Sequence, residues 1–270
     1  MKDAADPDTT AAGAAADFSL AGRWALVTGA RSGMGGAIAL HLARYGADLI
    51  LTSRPRPERP DSLDEVAAAI RGMGRRAVCL HADLSRAEEV RTLARQALAV
   101  HTPVAILVHV AGVVFPGTAL EQTLDEWDTT LAVNLRAPFL LSQGLAPAMM
   151  AHGGGRIIMI GSAAGIVGFR DRAAYAASKG GLIMLTRQLA VEWGPHNLRV
   201  NCVAPTVTTT PMAEKAWADP VRREAMRKKI PVGRFADPSD IAHAVVYLAS
   251  PAADMINGLT LPVDGGYTIQ

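Results

Sequence analysis

From residue 23 onward, apolar positions cluster in short runs separated by longer segments of mixed polarity. Runs at 24–28 (WALVT), 48–52 (DLILT), 77–81 (AVCLH), 104–110 (VAILVHV), 156–160 (RIIMI), 198–204 (LRVNCVA) and 259–263 (LTLPV) have strand length. The segments 34–45, 62–73, 86–100, 124–151, 173–193 and 238–249 between them have helix length. This alternation predicts βαβ units, and hence a parallel sheet of about seven strands with helices on both faces. The runs are almost continuously apolar, as strands buried on both sides require. Two stretches break the rhythm. The proline-rich SRPRPERPD (53–61) predicts an extended connection after the second strand, and 205–233 predicts an irregular segment followed by a charged helix. Insertions after a strand's C-terminal end are where such sheets build a substrate cover.

With 270 residues, 50% of them hydrophobic and 19% charged, the chain can bury the core of one α/β domain, expected at 20–270 behind a flexible tail at 1–19. That tail is rich in Ala, Asp and Thr and lacks the apolar centre of a signal peptide. No apolar stretch reaches the ~18 residues of a membrane span. The expectation is a cytoplasmic protein with no membrane partner. The net charge of +2 comes from interspersed acids and bases, with one local basic run, RREAMRKK (222–229). Such a run predicts a solvated helix face and no nucleic-acid partner. Cys79 and Cys202 sit in apolar runs with no CxxC spacing, which indicates buried thiols and neither a disulfide framework nor a metal site.

Candidate chemistry begins at the turn Thr28-Gly29-Ala30-Arg31-Ser32-Gly33-Met34-Gly35, between the first strand and the first helix. Glycines there allow a tight turn and close backbone approach, and a helix N-terminus offers unpaired N–H groups to a pyrophosphate. Downstream, Tyr175 and Lys179 stand four residues apart in YAASK, so on a helix they share one face. A free phenol titrates near ~10, so a tyrosine exchanging a proton near neutrality needs on the order of 3–4 kcal/mol of differential stabilisation of its phenolate. A lysine one turn away can supply it. Ser162, ending the run at 156–160, could hydrogen-bond the oxygen that Tyr175 protonates. Taken alone, the same spacing also describes an exposed ion-binding face.

Seven motifs in order make the chain resemble the classical short-chain dehydrogenase/reductases from about residue 20 to the C-terminus: TGARSGMG, Asp83 in ADL, Ala111-Gly112, Asn134, Ser162, YAASK and VDGG at 263–266. Two departures stand out, His109-Val110 where the family usually carries two asparagines, and Pro205-Thr206 where it usually has Pro-Gly. The resemblance implies a single-domain, Rossmann-type doubly wound fold. It also implies that Tyr175 is the general acid in carbonyl reduction and the general base in alcohol oxidation. Lys179 would lower the phenol's pKa and bind the nicotinamide ribose, Ser162 would orient the substrate oxygen, and Asn134 would hold a water linking Lys179 to solvent. The alternative for Asn134 is an amide that distorts or bridges its helix. Gly29, Arg31, Ser32, Gly33 and Met34 would surround the pyrophosphate. Asp83, beside Leu84, would accept from the adenine amine, or else serve as a turn or N-cap residue. Ala111 and Gly112 would lie along the cofactor, and Pro205, Val207 and Thr210 would frame the nicotinamide, with Thr210 reaching its carboxamide or a phosphate.

The second strand ends at Ser53, followed by Arg54, where a preference for NAD would call for a carboxylate on the ribose 2′-hydroxyl. One hydroxyl and the guanidinium groups of Arg31 and Arg54 suit a 2′-phosphate, so NADP(H) is expected over NAD(H). The stretch after 204 resembles the L-xylulose reductases and polyol dehydrogenases, implying a small ketose, polyol or dicarbonyl substrate closed in by Met212 and Trp217; the alternative for those two residues is surface packing. Alternatives are reduction of a 3-oxoacyl thioester, with RREAMRKK serving an acidic carrier, and a nucleotide-sensing protein without catalysis. Family habit implies a homotetramer formed through 124–151, 173–193 and the last strand.

Overall fold

Seven parallel strands form one sheet in the order β3-β2-β1-β4-β5-β6-β7. The computed structural model describes residues 17–55 and 62–270. Residues 1–16 of the tail expected at 1–19, and residues 56–61 of the proline-rich connection expected at 53–61, lie outside the described residues. The strands are β1 Trp24–Thr28, β2 Asp48–Ser53, β3 Ala77–His81, β4 Ile106–His109, β5 Gly155–Ile160, β6 Leu198–Pro205 and β7 Thr260–Val263. Between them run α1 Gly33–Arg44, α2 Ser62–Gly72, α3 Ala87–Val100, α4 Leu124–Leu131, α5 Ala137–Ala151, α6 Ala173–Trp193, α7 Pro211–Ala216, α8 Pro220–Arg227 and α9 Pro238–Ala249.

Strand alternation divides the core in two. Ala25, Val27, Leu49, Leu51, Ile158 and Ile160 face α1, α2 and α9, while Leu26, Ile50, Ile157 and Met159 face α3, α5 and α6. Each fully buried Leu or Ile contributes about 1.5–3 kcal/mol relative to exposure, so both layers are held by the strands' continuous apolar character. Helix starts follow from local chemistry. Thr123 and Glu126 form a reciprocal capping box at α4, and Asp237 and Asp240 do the same at α9, with Pro238 in its first position.

The helix expected as one piece over 124–151 is broken by a π turn at Ala132–Arg136, centred on Asn134. The cause is its side chain: Oδ1 accepts from Val113 N at 2.9 Å, and Nδ2 donates to Val113 O at 2.9 Å and to Ser178 Oγ at 3.1 Å. These bonds draw a buried amide across to the loop after β4. The expected strand 104–110 is also shorter, because the amides of Val110 and Ala111 leave the ladder and donate to Thr28 Oγ1, at 3.0 and 3.1 Å. The strand order reverses between β1 and β4, which opens a crevice at their C-terminal ends.

Candidate active site

A cleft of about 380 Å³ occupies that crevice. At one end the glycine turn enters α1. Gly29 and Gly33 hold φ of +68° and +58°, and a Cβ on Gly35 would stand 2.1 Å from Gly29 O. Only glycine fits there. No side chain caps α1, and its first turn carries no acid. Its N–H groups and positive dipole end therefore face the cleft, as a bound phosphate requires. Arg31, Ser32, Gly33 and Met34 line this end, with Thr210 and Pro211 across from them. Thr210 caps α7 by accepting from Ala213 N, and its methyl carbon lies 3.2 Å from where a Gly33 Cβ would be.

Arg31 reaches from the turn to the end of β2, donating from Nη2 to Ser53 Oγ at 3.0 Å and to Arg54 O at 2.9 Å. Arg31, Ser53 and Arg54 thus meet at one edge of the cleft, and the C-terminal end of β2, Leu49–Ser53, carries no carboxylate. Ala82, Asp83 and Leu84 form the adjoining wall. Asp83 Oδ1 accepts from the amide and the hydroxyl of Ser85, so the residue makes a turn, and α3 has no side-chain cap. Burial works against the carboxylate, but the bonds from Ser85 and the charges of Arg54 and Arg86 outweigh it, and its pKa falls below the ordinary value.

At the other end Tyr175 and Lys179, one helical turn apart on α6, line the same cleft. Lys179 is only 4% exposed, donates from Nζ to Ile160 O at 2.6 Å, and lies 5.7 Å from the Tyr175 ring centroid. Ala111, Gly112, Val113 and Val114 complete the floor. Ser162, the residue after Gly161, is not itself part of the cleft lining; its Oγ accepts from Ala164 N at 3.1 Å and keeps its own proton to donate. Asn134 stands behind the wall, and its amide is committed to Val113 and Ser178. Ser178 in turn donates to Tyr175 O at 2.7 Å.

Some expected residues lie apart from the cleft wall. Pro205 ends β6 opposite Val263, and Val207 O accepts from Ala236 N. Trp217 packs on Phe235 at 6.0 Å between centroids, with Arg222 over its ring at 5.7 Å. The Met212 side chain lies outside the described residues. The cleft also includes Thr52, Val133, Ile160 and Gly161, apolar or small residues with no sequence signal of their own. His109, behind the floor, bonds Ser142 Oγ through Nε2 at 2.9 Å. Burial and the charge of Lys179 push its pKa down to about 3. Burial likewise raises the Cys202 thiol to about 11, so it stays protonated and unreactive. Among the described residues, no group of three or more His, Cys, Asp or Glu side chains could hold a metal ion, and no helix is long and apolar enough to cross a membrane.

The cradle has the shape and chemistry that a dinucleotide needs: an uncapped helix start with tight glycines at one end, the Asp83 carboxylate on the adjoining wall, and Lys179 with Tyr175 at the far end. Known proteins agree. A family model described as "Enoyl-(Acyl carrier protein) reductase" matches residues 29–268. D-threitol dehydrogenase of Mycolicibacterium smegmatis is 43% identical over 94% of this chain and 96% of its own. L-xylulose reductase of Bos taurus is 40% identical over 93% of this chain and 98% of its own. The crystal structure of a putative NAD(P)-dependent gluconate 5-dehydrogenase from Beutenbergia cavernae, with bound NADP, superposes with a TM-score of 0.89 at 41% identity, covering 94% of this chain and 100% of that one. With nearly its whole described length matched in this way, the chain belongs to the short-chain dehydrogenase/reductase family and is an oxidoreductase of CH–OH groups that uses a nicotinamide cofactor.

Proposed function

We propose that the protein interconverts a small ketose or dicarbonyl and its polyol or secondary alcohol, with NADP(H) preferred over NAD(H). The observation that carries this reading is that Tyr175 and Lys179 line the same cleft as the glycine turn. When bound, the nicotinamide supplies the hydride to the carbonyl carbon or takes it from the alcohol carbon. Tyr175 gives its phenolic proton to the carbonyl oxygen in reduction and takes the hydroxyl proton in oxidation. Lys179, buried one turn away and anchored to Ile160 O, keeps a positive charge beside the phenolate this creates. Ser162 donates to the same substrate oxygen and fixes its direction. Asn134 holds the wall by gripping both backbone groups of Val113. The water relay to Lys179 remains part of this proposal.

The cofactor preference rests on Arg31, Ser53 and Arg54 at one edge, where a 2′-phosphate would meet two guanidinium groups and no carboxylate. The substrate class draws on relatives named for threitol and L-xylulose, and residues 205–233 are the segment that covers it. The acyl-carrier alternative, which the family model's name favours, would need RREAMRKK free. Instead, Arg222 and Arg223 stack on Trp217 and Phe235, and Arg227 pairs with Glu224. A homotetramer would cover the groove between α4, α5 and α6 lined by Leu131, Leu135, Phe139 and Leu185. The same reading assigns the cytoplasm, a compartment compatible with the free, buried thiol of Cys202. The test compares NADPH-dependent turnover of xylulose, erythrulose and diacetyl with that of an acetoacetyl thioester. The reading expects at least tenfold higher kcat/KM for one of the first three, and a preference for the thioester contradicts it.

A further inference from the structure

Helix α6, which carries Tyr175 as its third residue, begins without a cap of its own. Arg172, at the N-cap position, makes no side-chain bond to the first turn. Ala174 is fully buried, so its N–H cannot turn to water. Its partner comes from far away in sequence: Gln122 Oε1 accepts from Ala174 N at 2.9 Å. The other end of the same amide points into the loop after β4, where Nε2 donates to Phe115 O at 3.4 Å. Phe115 directly follows Val113 and Val114, which form the floor of the cleft beside Tyr175.

A second link runs parallel to this one. Gly117 N donates to Asp171 O at 3.3 Å, and Gly117 bridges to Arg172. Asp171 takes φ of +58°, a left-handed conformation uncommon for a residue with a Cβ. The chain therefore turns sharply just before α6, and the start of the helix depends on contacts outside itself for its position.

We propose that Gln122 is a positioning residue for Tyr175: it caps the catalytic helix from outside and ties that cap to the loop forming the cleft floor. This rests on the catalytic reading of Tyr175 given above. Without the side chain, a buried N–H loses its partner, and the first turn of α6 must shift or fray to reach another. Tyr175 lies one residue beyond that N–H, so its hydroxyl moves relative to Val113 and Val114. The glycine turn, Arg31 and Asp83, at the opposite end of the cleft, are untouched.

Two variants separate the ends of the amide. Gln122→Leu removes both bonds. Gln122→Glu keeps an acceptor for Ala174 N, with a charge that suits a helix N-terminus, and loses only the donor to Phe115 O. The measurements are amide hydrogen exchange over residues 172–176, NADPH affinity by fluorescence, and kcat and KM for the preferred carbonyl substrate, with kcat normalised to NADPH-binding sites. Gln122→Leu is expected to speed exchange in that segment and lower kcat by about tenfold, since small misplacements of a reacting group cost this much or more. NADPH affinity should stay within twofold, and Gln122→Glu should restore protection and most of kcat. A purely structural role would reduce the yield of folded sites without lowering kcat per site. The assignment is overturned if exchange in Gln122→Leu is unchanged, if kcat per site is retained, or if Gln122→Glu regains protection but not turnover. A wild-type protein that binds NADPH yet reduces no carbonyl contradicts the proposed function instead, and the exchange comparison then still decides whether Gln122 caps α6.

Discussion

Replacement of His109 by asparagine is expected to make the protein less sensitive to mild acid. His109 is 4% exposed, bonded through Nε2 to Ser142 Oγ, and held near a pKa of about 3 by burial and by the charge of Lys179. In the unfolded chain the same imidazole titrates at about 6.5. Its folded-state value is depressed, so between these two values the unfolded chain binds the extra proton, and stability falls as pH falls through that window. Each pH unit below about 6.5 removes about 1.36 kcal/mol, so the loss from His109 between pH 7.5 and pH 5 is about 2 kcal/mol. That figure is insensitive to the folded-state value, because pH 5 lies well above it. Asp83 and Asp264, whose pKa values are also lowered, lose their contributions only at more acid pH. The assay is urea unfolding of wild type and His109→Asn at pH 7.5 and 5.0, at one protein concentration and with m-values compared. Asparagine loses the Ser142 bond in its present form, at a cost of about 1 kcal/mol that applies equally at both pH values. Wild type should lose about 2 kcal/mol more than the variant between the two conditions. Equal losses would refute the claim that a neutral, buried imidazole occupies this position.

Two further expectations follow from the cleft. Arg54→Asp places a carboxylate beside Ser53 and should reduce kcat/KM with NADPH by about 10- to 100-fold, the worth of one charge-assisted phosphate bond, while NADH use is retained or improved; steady-state kinetics with both cofactors checks this, and unchanged NADPH use would exclude Arg54 from the site. Thr28→Val strips the shared acceptor from the amides of Val110 and Ala111. It should cost about 1–3 kcal/mol in urea unfolding and weaken NADPH binding, because the floor at Ala111 and Gly112 loses its anchor to β1; wild-type stability and affinity would show that these amides find other partners.

Much of the architecture was legible because buried parallel strands leave an unambiguous mark. Seven apolar runs became seven strands, and β1 and β3 kept their ends at Trp24–Thr28 and Ala77–His81. The glycine turn was legible because its geometry favours glycine: a Cβ on Gly29 or Gly35 would collide with backbone, and Gly33 holds a left-handed φ. What escaped depends on contacts between distant segments. The π turn at Asn134 arises from Val113 and Ser178, and no local period marks it. The shortened β4 reflects Thr28, 82 residues from Val110, and the cap of α6 comes from Gln122, 52 residues from Ala174. Trp217, read as closing the substrate pocket, packs on Phe235 beneath Arg222, an aromatic–guanidinium cluster that spacing alone does not announce. The local grammar of strand, turn and helix was readable, whereas side chains that bridge elements acquire their roles only when the fold brings them together.

The central claim is that Tyr175 transfers the proton in a cleft that also holds the nicotinamide. Its most direct test is single-turnover reduction of erythrulose or xylulose by NADPH, followed by NADPH fluorescence, in wild type and Tyr175→Phe. The account predicts a loss of at least about 100-fold in the variant, the scale of general acid catalysis, with NADPH dissociation constants equal within twofold. A Tyr175→Phe protein that reduces the same substrate within a few-fold of the wild-type rate would contradict it.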